Sequence, residues 1–234
     1  MSAQPDNNQP GMKPVRSELW LRVVSALVLI AIALPLIWLG GAPFWAMCLV
    51  LSALLGYEWL RIIGQGNMSG HRQVGWVLLG VAYCCIPLLL LPPIRATVVP
   101  SGLILLLLLF FTVWASDVFA YFAGRHFGGP KLMPKVSPKK TWSGALGGLS
   151  GSILMGLIFG LSFTELSPVW SALGAGVMSV FSQAGDLFES WVKRRFDVKD
   201  SSNLIPGHGG FLDRVDGLIV AAVPMAIYVL LTAT

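Results

Sequence analysis

The chain predicts an all-α, polytopic helical membrane protein of about seven transmembrane helices, N-in and C-out, with cytoplasmic polar loops forming its site. Three observations carry this expectation. The 234 residues are 55% hydrophobic with a mean hydropathy of +0.74, far above a soluble domain. Apolar runs near the ~20 residues that a helix needs to cross a bilayer recur along the chain. Charged residues make up only 12% and gather in a few stretches between those runs. The runs are continuous rather than alternating, which disfavours a β-barrel. No polar stretch is long enough to bury a core of its own. The net charge of +5 is divided among loops, which fits basic loops at a membrane face rather than a nucleic-acid surface.

Taken in order, residues 1–17 read as a disordered cytoplasmic tail, because their beginning is polar and Pro-rich and lacks the pattern of a cleaved signal peptide. Residues 18–116 read as N-terminal transmembrane helices and 117–234 as the catalytic transmembrane region. The expected spans are 18–39, 42–63, 74–91, 98–122, 142–163, 166–187 and 212–232. The fourth is the purest; within LILLLLLFFTVW only Thr112 carries a polar group. The fifth has Gly144/Gly148 and Gly147/Gly151 at small-xxx-small spacing, which suits close approach to a neighbouring helix. Cys48, Cys84 and Cys85 all lie in apolar runs without metal-ligand spacing, so they read as packing residues.

Lys and Arg set the expected orientation. With the N-terminus inside, the loops holding Arg61 and Arg72, Arg125 to Lys140, and Lys193 to Arg214 all face the cytoplasm. Of the 16 basic residues only Arg95 then falls outside.

The chemistry concentrates between Ser190 and Asp216, where four acids, five bases and one His interrupt the apolar pattern. Polar groups this dense beside lipid are costly and point to function. Asp213 and Asp216 stand at i and i+3, on one face of a helix. Asp186 closes the preceding span, with Glu189 three residues on. Acids converging from separate elements suit a hard cation, so Asp186, Asp213 and Asp216 are the expected metal ligands and Mg²⁺ the expected ion. Asp197 and Glu189 are read equally well as partners of neighbouring arginines. Lys193, Arg194, Lys199 and Arg214 supply the positive charge that a polyphosphate requires. Gly209 and Gly210 let backbone approach a ligand, and His208 is a donor or an acid–base group. Asp197, Arg195 and Trp191 read as spacers.

A second polar stretch runs from Asp117 to Gly144. Asp117 lies late in an apolar helix, a functional position by default. Ser137, Lys139, Lys140 and Thr141 precede the fifth span and would form an anion site if that run opens the helix.

The Ser190–Asp216 stretch resembles the signature of the CDP-diacylglycerol synthases (phosphatidate cytidylyltransferases). Ser190, Lys193-Arg194, Lys199-Asp200, Pro206, His208-Gly209-Gly210 and Asp213-Arg214-x-Asp216 are in register, and SPKKTWSG resembles the family's Ser-Pro-x-Lys-Thr segment. Ser143 departs from the acid that members commonly carry there. The resemblance covers about the C-terminal half, from Asp117 onward, and the chain looks short beside members with extra N-terminal helices. It implies transfer of CMP from CTP to phosphatidic acid, giving CDP-diacylglycerol and pyrophosphate in phospholipid biosynthesis. It also implies an inner-membrane location, Mg²⁺ with a monovalent cation beside it, and homodimers. Within it, Asp186 and Asp213 are the implied metal ligands, with Asp216 close by. A CDP-alcohol phosphotransferase or a polyprenyl-phosphate transferase would need DGxxAR…GxxxDxxxD or DDxxD, which the chain lacks. An ion-coupled transporter would need acids along a mid-membrane pathway and repeated halves, whereas these charges are one-sided.

Overall fold

The computed structural model describes residues 15–66, 69–98, 101–205 and 209–232. It holds seven long helices: α1 Val15–Leu39, α2 Gly41–Ile63, α3 His71–Ala96, α4 Gly102–Phe127, α5 Trp142–Ser162, α6 Pro168–Arg195 and α7 Leu212–Thr232. Five of them (α2, α3, α4, α5 and α7) are long and apolar enough to cross a membrane. The expected helix order is therefore present, and the chain is a helical membrane protein. In α1 the described apolar part is the shorter stretch Leu27–Leu39, and α6 ends in five charged residues over its last ten positions. Of the expected tail, residues 1–14 lie outside the described residues, and the described helix already begins at Val15.

One element was not expected from the sequence. Between α4 and α5 a hairpin pairs β1 (Lys131–Met133) with β2 (Ser137–Thr141), antiparallel, with Lys131 opposite Thr141. The Ser137–Lys140 run is thus extended strand and does not open the helix. Only Thr141 sits at the helix end, where its Oγ1 accepts from the Gly144 N–H at 3.1 Å, an N-cap. Pro138 cannot supply a helical N–H, and alternation in SPKKT sends successive side chains to opposite faces.

The glycine face of α5 meets α4 closely, as small-xxx-small spacing predicts. A Cβ at Gly148 would lie 2.8 Å from the Ser116 carbonyl oxygen, and one at Gly151 would lie 2.4 Å from the Phe119 ring. Several polar groups inside the bundle pair with one another. The Ser116 and Ser179 hydroxyls pair at 2.9 Å, and Ser152 Oγ donates to the Thr112 carbonyl at 3.0 Å. Such pairs satisfy groups that lipid cannot.

Within α3 the turn Val81–Cys85 widens to a π-turn, in which the Ile86 N–H bonds the Val81 carbonyl. Pro87 follows; it lacks the N–H that would reach back to Tyr83 and its ring crowds that carbonyl, so the helix widens upstream. Tyr83 then reaches α6, its hydroxyl donating to the Gly185 carbonyl at 3.0 Å. Trp59 of α2, Tyr83 of α3 and Phe188 of α6 pack as one aromatic group beside it. The N-terminal helices thereby clasp the last turns of α6.

Polar ends collect at one end of the bundle. Glu58 near the end of α2 meets Leu212 at the start of α7, and Lys140 before α5 meets Asp186 near the end of α6. Arg95 lies at the other end, where its Nε and Nη2 donate to the Ile37 and Trp38 carbonyls at 2.9 and 2.8 Å. There the guanidinium occupies the last carbonyls of α1, which carry the negative end of that helix.

Candidate active site

A cavity of about 380 Å³ opens between α4, the hairpin, α5 and α6, lined among others by Asp117, Arg125, Lys139, Lys140, Thr141 and Asp186. Sequence reasoning named all of these except Arg125 as site residues. Ser137 stays on the far end of β2, outside this lining. The Lys140 ammonium forms an ion pair with Asp186 Oδ2, and Ser190 Oγ is 3.4 Å from Asp186 Oδ1. Three cationic side chains and two carboxylates around one concavity give it a net positive lining, as an anion demands.

On the other side of Asp186, three acids converge. Oxygens of Asp186, Glu189 and Asp216 lie within 4.8 Å of one another. Helix geometry brings Asp186 and Glu189 onto one face of α6 at i and i+3, and Asp216, one turn into α7, faces them. Glu189 is 2% exposed. Its Oε2 accepts from Lys193 at 2.9 Å, while its Oε1 is buried without a hydrogen-bond partner. Three carboxylates here meet two ammonium groups, Lys140 and Lys193. An orphaned buried carboxylate oxygen among converging acids is costly unless a cation completes it. The donor set is all oxygen, which fits a hard divalent ion.

Asp213, an expected ligand, is not among the three acids whose oxygens lie within 4.8 Å of one another, though it borders Glu189. Its Oδ1 is 2.6 Å from Lys193 Nζ. Its Oδ2 accepts from the Ser201 N–H, the Ser201 hydroxyl and the Gly210 N–H at 3.0, 2.9 and 3.0 Å. Both oxygens are therefore engaged, and the residue serves to fix Lys193 between itself and Glu189. Burial alone would lower the Lys193 pKa; Glu189 and Asp213 outweigh that and raise it, so the ammonium stays charged. Glu189 lies beyond the apolar stretch of α6, where burial first, then Asp216, pushes its carboxyl up against the opposing Lys193.

The loop between α6 and α7 closes tightly. Ile205 and Gly209 exchange backbone hydrogen bonds of 2.8 and 3.1 Å, and Gly209 has φ +85, a conformation glycine adopts without strain. His208, an expected acid–base group, lies outside the described residues. Arg194, Lys199 and Arg214 are exposed, whereas Lys193 is held between Glu189 and Asp213. Asp197 has a definite role. With φ +54 it ends α6, as the Val198 N–H bonds the Lys193 carbonyl at 2.9 Å and its own N–H bonds the Arg194 carbonyl at 3.3 Å, a Schellman closure.

Glu58 was missed. It is fully buried, and both its oxygens receive hydrogen bonds from the Ser201–Leu212 segment. An acid inside an apolar span was the available signal, the same signal that marked Asp117.

A membrane-embedded helical bundle with a basic cavity joined to an acid triad defines a class: an enzyme that handles anionic substrates with the help of a divalent metal. The cytidylyltransferase family matches residues 65–232, and the chain belongs to it. Phosphatidate cytidylyltransferases from bacteria are similar over nearly their whole length. That of Brucella abortus is 36% identical over 248 residues, covering 88% of this chain and 91% of the relative. Those of Rickettsia bellii and Rickettsia prowazekii are 34% and 30% identical, each covering 88% of this chain and 89% and 90% of the relative. The likeness thus reaches well into the N-terminal half, beyond the part from Asp117 onward that the motifs marked.

Proposed function

We propose that this chain is a phosphatidate cytidylyltransferase of a bacterial inner membrane, moving CMP from CTP to phosphatidate at the cytoplasmic face with release of pyrophosphate. The single observation that carries the proposal is Asp186, whose carboxylate belongs both to the basic cavity and to the acid triad. That arrangement sets a place for phosphate oxygens directly beside a place for a cation.

Asp186, Glu189 and Asp216 would hold Mg²⁺, which when bound supplies charge neutralisation and Lewis acidity at the triphosphate. Arg125, Lys139 and Lys140 offset the repulsion between two anionic substrates in the cavity. The lipid phosphate is already an anion, so a new P–O bond forms at the α-phosphorus and the bond to pyrophosphate breaks without a strong general base. Lys193, held by Glu189 and Asp213, keeps one ammonium fixed beside the triad and so lowers the cost of placing three acids together. Arg194, Lys199 and Arg214, all exposed, and His208 are assigned to the departing pyrophosphate. Acyl chains stay in lipid while the nucleotide enters from water, which accounts for a site at helix ends. Seven spans with N-in, C-out topology, a monovalent cation beside Mg²⁺ and a homodimer complete the proposal, from the family resemblance and the distribution of Lys and Arg.

The test is incubation of purified protein with labelled CTP, phosphatidate and Mg²⁺. Labelled CDP-diacylglycerol and pyrophosphate are expected; folded protein that makes neither would refute the reading.

A further inference from the structure

Glu58 lies in α2, before the segment matched by the cytidylyltransferase family, yet it is bonded to the segment that carries the site. Its Oε1 accepts from the Phe211 N–H at 2.9 Å and from the Ser202 hydroxyl; its Oε2 accepts from the Leu212 N–H at 2.7 Å and the Ser201 hydroxyl at 3.2 Å. Phe211 and Leu212 lead into α7, so a carboxylate from another helix caps its positive end. The fit is close: a Cβ at Gly210 would lie 2.7 Å from Glu58 Oε1 and 1.8 Å from Ser201 Oγ. Only glycine allows the loop to pass there.

Ser201 continues the chain inward. Its hydroxyl lies between Glu58 Oε2 and Asp213 Oδ2, at 3.2 and 2.9 Å, and gives its single proton to one of them at a time. Asp213 in turn holds Lys193, and Lys193 holds Glu189. Two routes therefore lead from Glu58 to the acid triad. One is this relay of side chains ending at Glu189. The other is the first turn of α7, whose placement sets where Asp216 meets Asp186.

From this geometry we infer that Glu58 is a positioning residue for the divalent-cation site, acting from the second helix through the α7 cap and Ser201. The inference rests on the proposed metal site at Asp186, Glu189 and Asp216. A carboxylate is required, because each of its two oxygens takes one backbone N–H. An amide would turn an NH₂ toward one of those N–H groups and leave it unsatisfied.

The experiment uses the full-length protein in detergent, with Mn²⁺ as the probe of the cation site by electron paramagnetic resonance and Mg²⁺-titrated turnover alongside. Glu58→Gln is expected to weaken Mn²⁺ binding about tenfold or more, the usual effect of losing a group that orients metal ligands. Turnover should shift to correspondingly higher Mg²⁺ and recover most of its kcat there. Ser201→Ala keeps the α7 cap and breaks only the relay; it should move the Mg²⁺ curve in the same direction by less, and it decides the matter if Glu58→Gln does not fold. A Glu58→Gln protein with lower thermal stability but wild-type Mn²⁺ affinity and Mg²⁺ dependence would overturn the inference, leaving Glu58 a packing residue. Asp186→Asn separates the underlying reading: if that variant binds Mn²⁺ as wild type does, the metal site itself is misplaced and the inference falls with it.

Discussion

Asp186 and Lys193 are the two side chains on which most of the site's geometry turns. Asp186 faces a cavity on one side and two acids on the other, so its neutral isostere should damage both functions. Asp186→Asn is expected to lower kcat by about a hundredfold or more, measured as CDP-lipid formation at saturating CTP. Lys193→Ala leaves Glu189 and Asp213 facing each other without their shared cation. Activity should then require about tenfold more Mg²⁺ or substrate, and an unchanged rate curve would return Lys193 to a merely interfacial role. At this scale the sequence was partly readable. Residue type and spacing brought out Asp186, Asp216 and Lys140. They did not separate Asp213 from Glu189, because i, i+3 spacing defines a shared face and says nothing of which oxygens the backbone of a neighbouring loop will occupy. Ser201 and Gly210 settle that for Asp213.

Among the elements, α5 was the most predictable and the hairpin the least. Glycines spaced four apart announced a close helix contact, and α4 supplies it. Gly148→Leu would drive a branched side chain toward the Ser116 carbonyl, already 2.8 Å from an added Cβ. Overpacking of this kind costs about 1–3 kcal/mol or more, and a thermal melt in detergent should show a lower midpoint or loss of folded protein. The β1–β2 hairpin escaped because its strands are three and five residues long and carry lysines rather than an apolar alternation. Its pairing depends on the ends of α4 and α5 being held together, a tertiary condition. The π-turn in α3 is similar: Pro87 signals a disturbance, but only the packed structure shows that it delivers Tyr83 to Gly185.

For the whole molecule, the N-terminal helices are more than anchors. Through Trp59, Tyr83 and Glu58 they hold the ends of α6 and α7 where the acids meet. The positive-inside reading predicts that a cysteine placed near residue 3 is labelled only from the cytoplasm and one near Thr234 only from outside. Labelling of both from the same side would refute seven spans. Whole-molecule order was legible because hydropathy and helix length are local properties. Which helix end clasps which was not, since it arises from contacts between residues more than a hundred positions apart, as with Glu58 and Leu212. The central claim is that Asp186, Glu189 and Asp216 form the cation site of this cytidylyltransferase. Anomalous scattering from crystals grown with Mn²⁺ and CTP tests it most directly. A peak bounded by those three carboxylates is the predicted result; a peak at Asp213, or one away from Glu189 and Asp216, would contradict it.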